Sequence, residues 1–316
     1  MDKNSSEMTE TWLIDLDGVI WRGDSLIAGS DEAVGALCAA NKKIVFFTNN
    51  SFPTASSLTA KLQSMGIPAS AENILTSSMA ASRLLNEKSN VLCLGGPGLY
   101  EALVKSGHRP VFASTILSNA ISNTEYASYL AYYAQSSFPQ TVSAVDDDKS
   151  LVELTRMGVE FFTILDEIAD AERFDACVVG IDPFSNFATL ALGFRAISKG
   201  ARLIATNDDS TYPMKSGLLP GGGTVFKILQ TLTGSKGEVA GKPYEAAVEL
   251  VRDTCDKVAY VVGDRLDTDG LLAKQLGAKF LLVYSGVTSP HGKSDTVLPF
   301  VEEENLKKVV YAILGI

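Results

Sequence analysis

The sequence predicts an α/β protein in which a parallel sheet is wrapped by helices and a second α/β domain is inserted. Two observations predict it. Short β-branched or aromatic runs alternate with stretches of helical period, as a parallel sheet with crossover helices requires. The composition then breaks in mid-chain. Residues 118–149 are rich in Ser, Asn, Ala and Tyr, and the loop-like stretches 204–210 and 220–223 fall just before the alternation resumes. The second domain is therefore placed at residues 88–207, with 1–87 and 208–316 as the two parts of the first; a chain of 316 residues has room for both.

In chain order, strands are expected at residues 12–16, 44–48, 91–94, 176–180, 202–205, 258–263 and 279–284. A helix is expected over 55–65, because Leu58, Leu62 and Met65 fall at i, i+4 and i+7 on one face, with Thr54 as its cap and Pro53 fixing the chain's entry. Cys38, Cys93, Cys177 and Cys255 are widely spaced without a C-x-x-C pair and read as small core hydrophobes.

Hydrophobic residues make up 46% and charged residues 20%, which excludes disorder for the bulk of the chain. The balance of 27 basic against 37 acidic side chains, a net charge of −10, repels phosphodiester backbones and anionic lipid, so neither nucleic acid nor membrane is an expected partner. No apolar stretch is long enough to span a bilayer, and residues 1–7 lack a basic region followed by an apolar run, so a cytoplasmic location is expected. A homodimer is compatible with the sequence.

Four segments carry chemistry. In the first, an apolar strand ends in Asp15 and Asp17, which point the same way at the carboxyl end of a parallel strand, where open α/β sheets bind ligands. Two such acids can hold a cation, or one can attack an electrophile while the other handles protons; an Asp-Gly turn is the plainer alternative. In the second, a buried strand ends in Thr48, Asn49 and Asn50, neutral donors suited to phosphate oxygens and placed just before a helix whose free amides favour anions. In the third, Lys242 sits between Gly241 and Pro243 at the mouth of an expected helix, placed to neutralise a phosphate. The fourth strand ends in Asp264, with Asp267 and Asp269 beyond it. Acids from two neighbouring strand ends suit a hard cation such as Mg²⁺.

Other candidates are weaker. The run 91–100 has glycines like a dinucleotide fingerprint but lacks the third Gly or Ala at the required offset. His108 and His291 have no ligand spacing, which argues against zinc, and 146–149 reads as a solvated acidic loop.

Taken in order, the four segments resemble the four motifs of the haloacid dehalogenase superfamily, in its para-nitrophenylphosphatase or NagD-like branch. Asp15-Leu16-Asp17-Gly18-Val19 fits D-x-D-x-[TV], and Thr48-Asn49-Asn50-Ser51 fits the branch's second motif. Gly241-Lys242-Pro243 fits the third, and the run from Gly263 to Asp269 fits G-D-R-x-x-T-D. The resemblance implies a Rossmann-like core with an α/β cap at 88–207, and a Mg²⁺-dependent phosphatase acting on small phosphomonoesters through an aspartyl-phosphate. It implies Asp15 as nucleophile and metal ligand, and Asp17 as the acid and base that also offers the metal its backbone carbonyl. Thr48, Asn49 and Asn50 would hold the phosphoryl group, and Lys242 would offset charge. Asp264 would be the second carboxylate ligand, with Asp269 at the metal site orienting water or Lys242.

The loop 181–187 resembles the branch's substrate-facing cap loop, and Phe184 stands where animal pyridoxal phosphate phosphatases carry His, which argues against that substrate. The expectation is therefore that the inserted domain closes over the core and that Phe184 meets the substrate far from phosphorus. A phosphotransferase or phosphomutase would use Asp15 and Asp17 equally well. A non-catalytic phosphate-binding regulator would not require Asp17, and dehalogenase chemistry does not normally use it.

Overall fold

The computed structural model describes residues 10–122, 162–163, 165–168, 173–214, 217–290 and 297–316. His291 and the acidic loop 146–149 lie outside the described residues. In chain order the strands are β1 (Thr11–Ile14), the ribbon β2 (Trp21–Arg22) and β3 (Ser25–Leu26), β4 (Lys43–Thr48) and β5 (Ile74–Thr76). Then come β6 (Asn90–Leu94), β7 (Arg109–Phe112), β8 (Ala176–Val179) and β9 (Arg202–Ala205), the hairpin β10 (Thr211–Met214) and β11 (Gly217–Pro220), and β12 (Glu238–Val239). β13 (Val258–Gly263), β14 (Lys279–Val283) and β15 (Val301–Glu303) complete the set.

They form two parallel sheets. The first runs β15-β14-β13-β1-β4-β5 and the second β12-β9-β8-β6-β7. In the first sheet β1 lies between β4 and β13, so crossovers leave it in opposite directions and a crevice opens beyond its carboxyl end. Asp15 is the residue that follows β1.

Residues alternate between faces with the period of two that a strand imposes. Leu13 packs into a core shared with Val91, Val178 and Ile204 of the second sheet, whereas Trp12 and Ile14 pack with Phe46, Leu62 and Val310 on the opposite face. A third cluster, with Cys177, Val179, Leu192 and Leu229, covers the far face of the second sheet. The helix Ala55–Ser64 forms as the period requires: Thr54 accepts from the Ser57 amide at 3.1 Å, and Leu58 and Leu62 are buried, contributing about 2 kcal/mol each.

All seven expected strands form. The edge elements β5, β7, β12 and β15, two to four residues each, were too short for periodicity to reveal. The boundary at 207 needs correction. β12 pairs in parallel with β9, and the helix Gly223–Thr233 buries Phe226 and Leu229 in the second sheet's cluster, so that sheet reaches residue 239. The glycines at 221–223 look like a break in sequence, but here they lead directly into a helix. Cys93, Cys177 and Cys255 are buried and Cys38 is exposed, all four as free thiols. Among the described residues no helix is long and apolar enough to cross a membrane.

Candidate active site

Three strand ends of the first sheet, those of β1, β4 and β13, and the loop after β12 of the second meet at the crevice. Asp15 extends β1, and the turn after it is shaped by Gly18 at φ 87°, a conformation that side chains rarely adopt. A Cβ on Gly18 would lie 2.6 Å from Asp264 Oδ2, so the turn needs glycine for space as well. The same turn brings the Trp21 indole back to Asp17, donating to Oδ1 at 2.9 Å.

Lys242 is the centre of the charge arrangement. Its buried ammonium donates to Asp15 Oδ1 at 2.6 Å, to Asp269 Oδ1 at 2.6 Å and to the Phe47 carbonyl at 2.9 Å. Asn49 fixes the loop beneath it, accepting from the Lys242 amide at 2.8 Å and donating to the Lys242 carbonyl at 3.1 Å. Asp264 Oδ2 accepts from the Val287 amide at 2.6 Å.

Asp15, Asp264 and Asp269 each offer an oxygen within 4.8 Å of the others. Three carboxylates against one ammonium leave excess negative charge in a buried site. Burial accordingly raises Asp15 well above the usual carboxylate range, with Asp269 and Asp264 adding to the shift and Lys242 opposing it. Asp264 is pushed up to about 7 by burial and by Asp269. Burial would lower Lys242, but Asp15 and Asp269 outweigh it and hold the ammonium protonated. A set of hard oxygens carrying uncompensated charge fits a small divalent cation. Asp269 is the least free to ligate one, because its Oδ1 holds Lys242 and its Oδ2 accepts from the Arg265 amide at 3.3 Å.

Asp17 is raised by burial too, opposed by hydrogen bonds from Trp21, Tyr212 and Thr48. Thr48 donates to its Oδ2 at 3.3 Å and accepts from the Asn50 amide at 3.0 Å. The helix after this loop begins only at Ala55 and is capped by Thr54, so helix amides do not reach the cavity as expected.

Asp15, Asp17, Thr48, Asn49, Asn50, Lys242 and Asp264 line one cavity, and Asp269 supports it from beneath Lys242. Phe184 does not join them: it is 80% exposed and outside the cavity wall, although Ile181 of the same loop lines it. Sequence reasoning missed Asn207, Asp209, Tyr212 and Arg265, which also line the cavity. Asp209 accepts from Asn49 at 3.1 Å and lies 3.6 Å from the Arg265 guanidinium, and the Tyr212 hydroxyl donates to Asp17 at 3.2 Å. The polar run 207–210 hinted at Asn207 and Asp209, Arg265 stood within the fourth motif without a role, and nothing local marked Tyr212.

Residues 12–109 match the family model for haloacid dehalogenase-like hydrolases, and residues 239–303 match a second model of hydrolases like them. The chain is 30% identical to phosphoglycolate phosphatase 1A of Arabidopsis thaliana over 294 residues, 90% of this chain and 70% of that protein. Among solved structures it is similar to glycerol phosphate phosphatase from Mycobacterium tuberculosis in complex with magnesium, with a TM-score of 0.71, 28% identity and coverage of 95% and 76% of the two chains. The p-nitrophenyl phosphatase from Archaeoglobus fulgidus gives a TM-score of 0.71 at 26% identity, covering 96% and 99%.

Proposed function

Since the chain belongs to the haloacid dehalogenase-like hydrolases, in the branch of the para-nitrophenylphosphatases, we propose that it is a Mg²⁺-dependent phosphatase of small phosphorylated metabolites working through an aspartyl-phosphate. The observation that carries this reading is the pairing of Asp15 with Lys242 at 2.6 Å beside Asp264 and Asp17, all facing one cavity. The Asp15 and Asp264 carboxylates and the Asp17 backbone carbonyl would hold Mg²⁺, which when bound cancels charge between the nucleophile and the phosphate.

A carboxylate oxygen of Asp15 forms the bond to phosphorus as the ester P–O bond breaks, and the Asp17 carboxyl gives its proton to the departing alcohol. Lys242 favours the ionised form of Asp15 against burial and positions it by holding Oδ1. Thr48, Asn49 and Asn50 supply neutral donors for the phosphoryl oxygens, which is the positioning that phosphoryl transfer chiefly needs. In the second half Asp17 takes a proton from water as its oxygen bonds phosphorus, the Asp15–phosphorus bond breaks, and inorganic phosphate leaves with the nucleophile restored.

Phosphate release from a panel of phosphorylated metabolites tests the reading. Wild-type protein should turn over with Mg²⁺ and stop in excess chelator, and Asp15→Asn should lose activity at least about a thousandfold while remaining folded, because an amide is too poor a nucleophile. Residual activity within tenfold of wild type would remove Asp15 from its role.

A further inference from the structure

The contacts of Asp17 single out a residue outside the four sequence segments. Among the described residues three neutral donors reach its carboxyl group: Trp21 at 2.9 Å and Tyr212 at 3.2 Å, both to Oδ1, and Thr48 at 3.3 Å to Oδ2. Thr48 ends β4 of the first sheet, and Trp21 lies in the ribbon that follows β1. Tyr212 comes from β10, in the hairpin after the second sheet's β9, and is 195 residues away in sequence. Its hydroxyl also accepts from Asn50 Nδ2 at 3.5 Å, so one phenol oxygen links the acid to the loop that would hold phosphate.

The donors act unequally. An indole N–H can only donate, so it pins Oδ1 as an acceptor but constrains the carboxyl plane on one side only. A second donor converging on Oδ1 from another element removes the remaining rotation about Cβ–Cγ, a torsion that is otherwise broad. Oδ2 keeps a single, longer contact.

We propose that Tyr212 is a positioning residue for Asp17: its hydroxyl, with Trp21, fixes Oδ1 so that Oδ2 is the oxygen presented to the leaving group. This rests on the phosphomonoesterase reading above. It makes the hairpin after β9 part of what orients Asp17, so that Tyr212 acts on leaving-group departure through that carboxyl.

Tyr212→Phe removes the hydroxyl and keeps the ring. The measurement is kcat/KM with Mg²⁺ across phosphomonoesters from 4-nitrophenyl to simple alkyl leaving groups, because kcat/KM reports only steps through formation of the phosphoryl-enzyme. A misoriented acid costs most where the departing alkoxide is most basic, so alkyl phosphates should lose about tenfold or more and 4-nitrophenyl phosphate less than about twofold. A uniform loss across the series, or none, would overturn the proposal while leaving the phosphatase reading intact. A wild-type chain inert toward the whole series would overturn both.

Discussion

The two sheets are built alike and end differently. Both are parallel, both place a strand where crossovers diverge, and both bury runs such as Val-Leu-Cys-Leu or Trp-Leu-Ile. Beyond the strands they part. β1 runs into Asp15, β4 ends at Thr48 before Asn49, and β13 ends at Gly263 before Asp264. In the second sheet β6 runs into Gly95 and Gly96, β8 into Gly180, and β9 into Thr206 and Asn207. The first sheet's ends supply the carboxylates; in the second sheet the ends of β6 and β8 supply small groups that let the two units approach, and the end of β12 leads to Lys242, which pairs with those carboxylates. Gly98 illustrates the second use, since its amide donates to the Phe52 carbonyl at 2.8 Å and a side chain there would meet the Pro53 carbonyl. The glycines at 95–98, which superficially suggest nucleotide binding, serve that contact. The residues that line the cavity therefore come from the carboxyl ends of the parallel strands, or just beyond them, and from the loops that follow, not from the interiors of those strands.

The sharpest way to break the comparison is to remove Lys242, the buried cation that the loop after β12 of the second sheet sends to the first sheet's carboxylates. Lys242→Met keeps the side-chain volume but leaves Asp15 and Asp269 facing each other in a site where Lys242 is only 3% exposed. Activity should fall at least about a thousandfold. Stability measured by urea unfolding in chelator should also fall, by about 3 kcal/mol, as for a buried ion pair that loses one partner. A variant with unchanged midpoint would mean that the two carboxylates adapt without their counter-ion.

How much of this was legible in sequence obeys the same division. Asp15, Thr48, Lys242 and Asp264, which line one cavity, stand out in the sequence because each lies at or just beyond a strand end or helix mouth, and that local pattern survives without knowledge of the fold. Tyr212 and Asp209 were not, because their partners Asp17 and Asn49 are 195 and 160 residues away, and only the path of the loops after β9 brings them together. The domain boundary failed for a related reason. Gly221, Gly222 and Gly223 have the local character of a linker, yet Phe226 and Leu229 beyond them are claimed by the second core. Phe184 shows the converse: a motif-like loop gave it a role, and the cavity wall stops at Ile181.

Altering a neutral end should separate packing from chemistry. A Cβ on Gly180 would stand 2.6 Å from Ser51 Oγ, the atom that accepts from the Ile181 amide at 2.9 Å and joins the two units. Gly180→Ala should therefore cost about 1–3 kcal/mol of stability, as overpacking at a tight contact does. Turnover of 4-nitrophenyl phosphate should stay within about threefold, because none of the charged groups moves. A loss of activity comparable to that of Lys242→Met would show that close approach of the second sheet is itself needed for the chemistry.

The smallest effect should come from the second sheet's most exposed aromatic. Phe184 sits in the turn after β8, where its amide donates to Asp182 Oδ1 at 2.9 Å, and its ring is 80% exposed. Truncating it removes little buried area and leaves that backbone contact intact, so Phe184→Ala should change stability by less than about 0.5 kcal/mol. Because the ring lies outside the cavity wall, kcat/KM for 4-nitrophenyl phosphate should stay within about twofold, and so should the ranking among metabolites. The comparison of metabolites is the discriminating part. A changed ranking with 4-nitrophenyl phosphate unaffected would mean that the loop reaches the substrate's remote end in another arrangement, so that the second sheet's ends contribute selectivity as well as close approach.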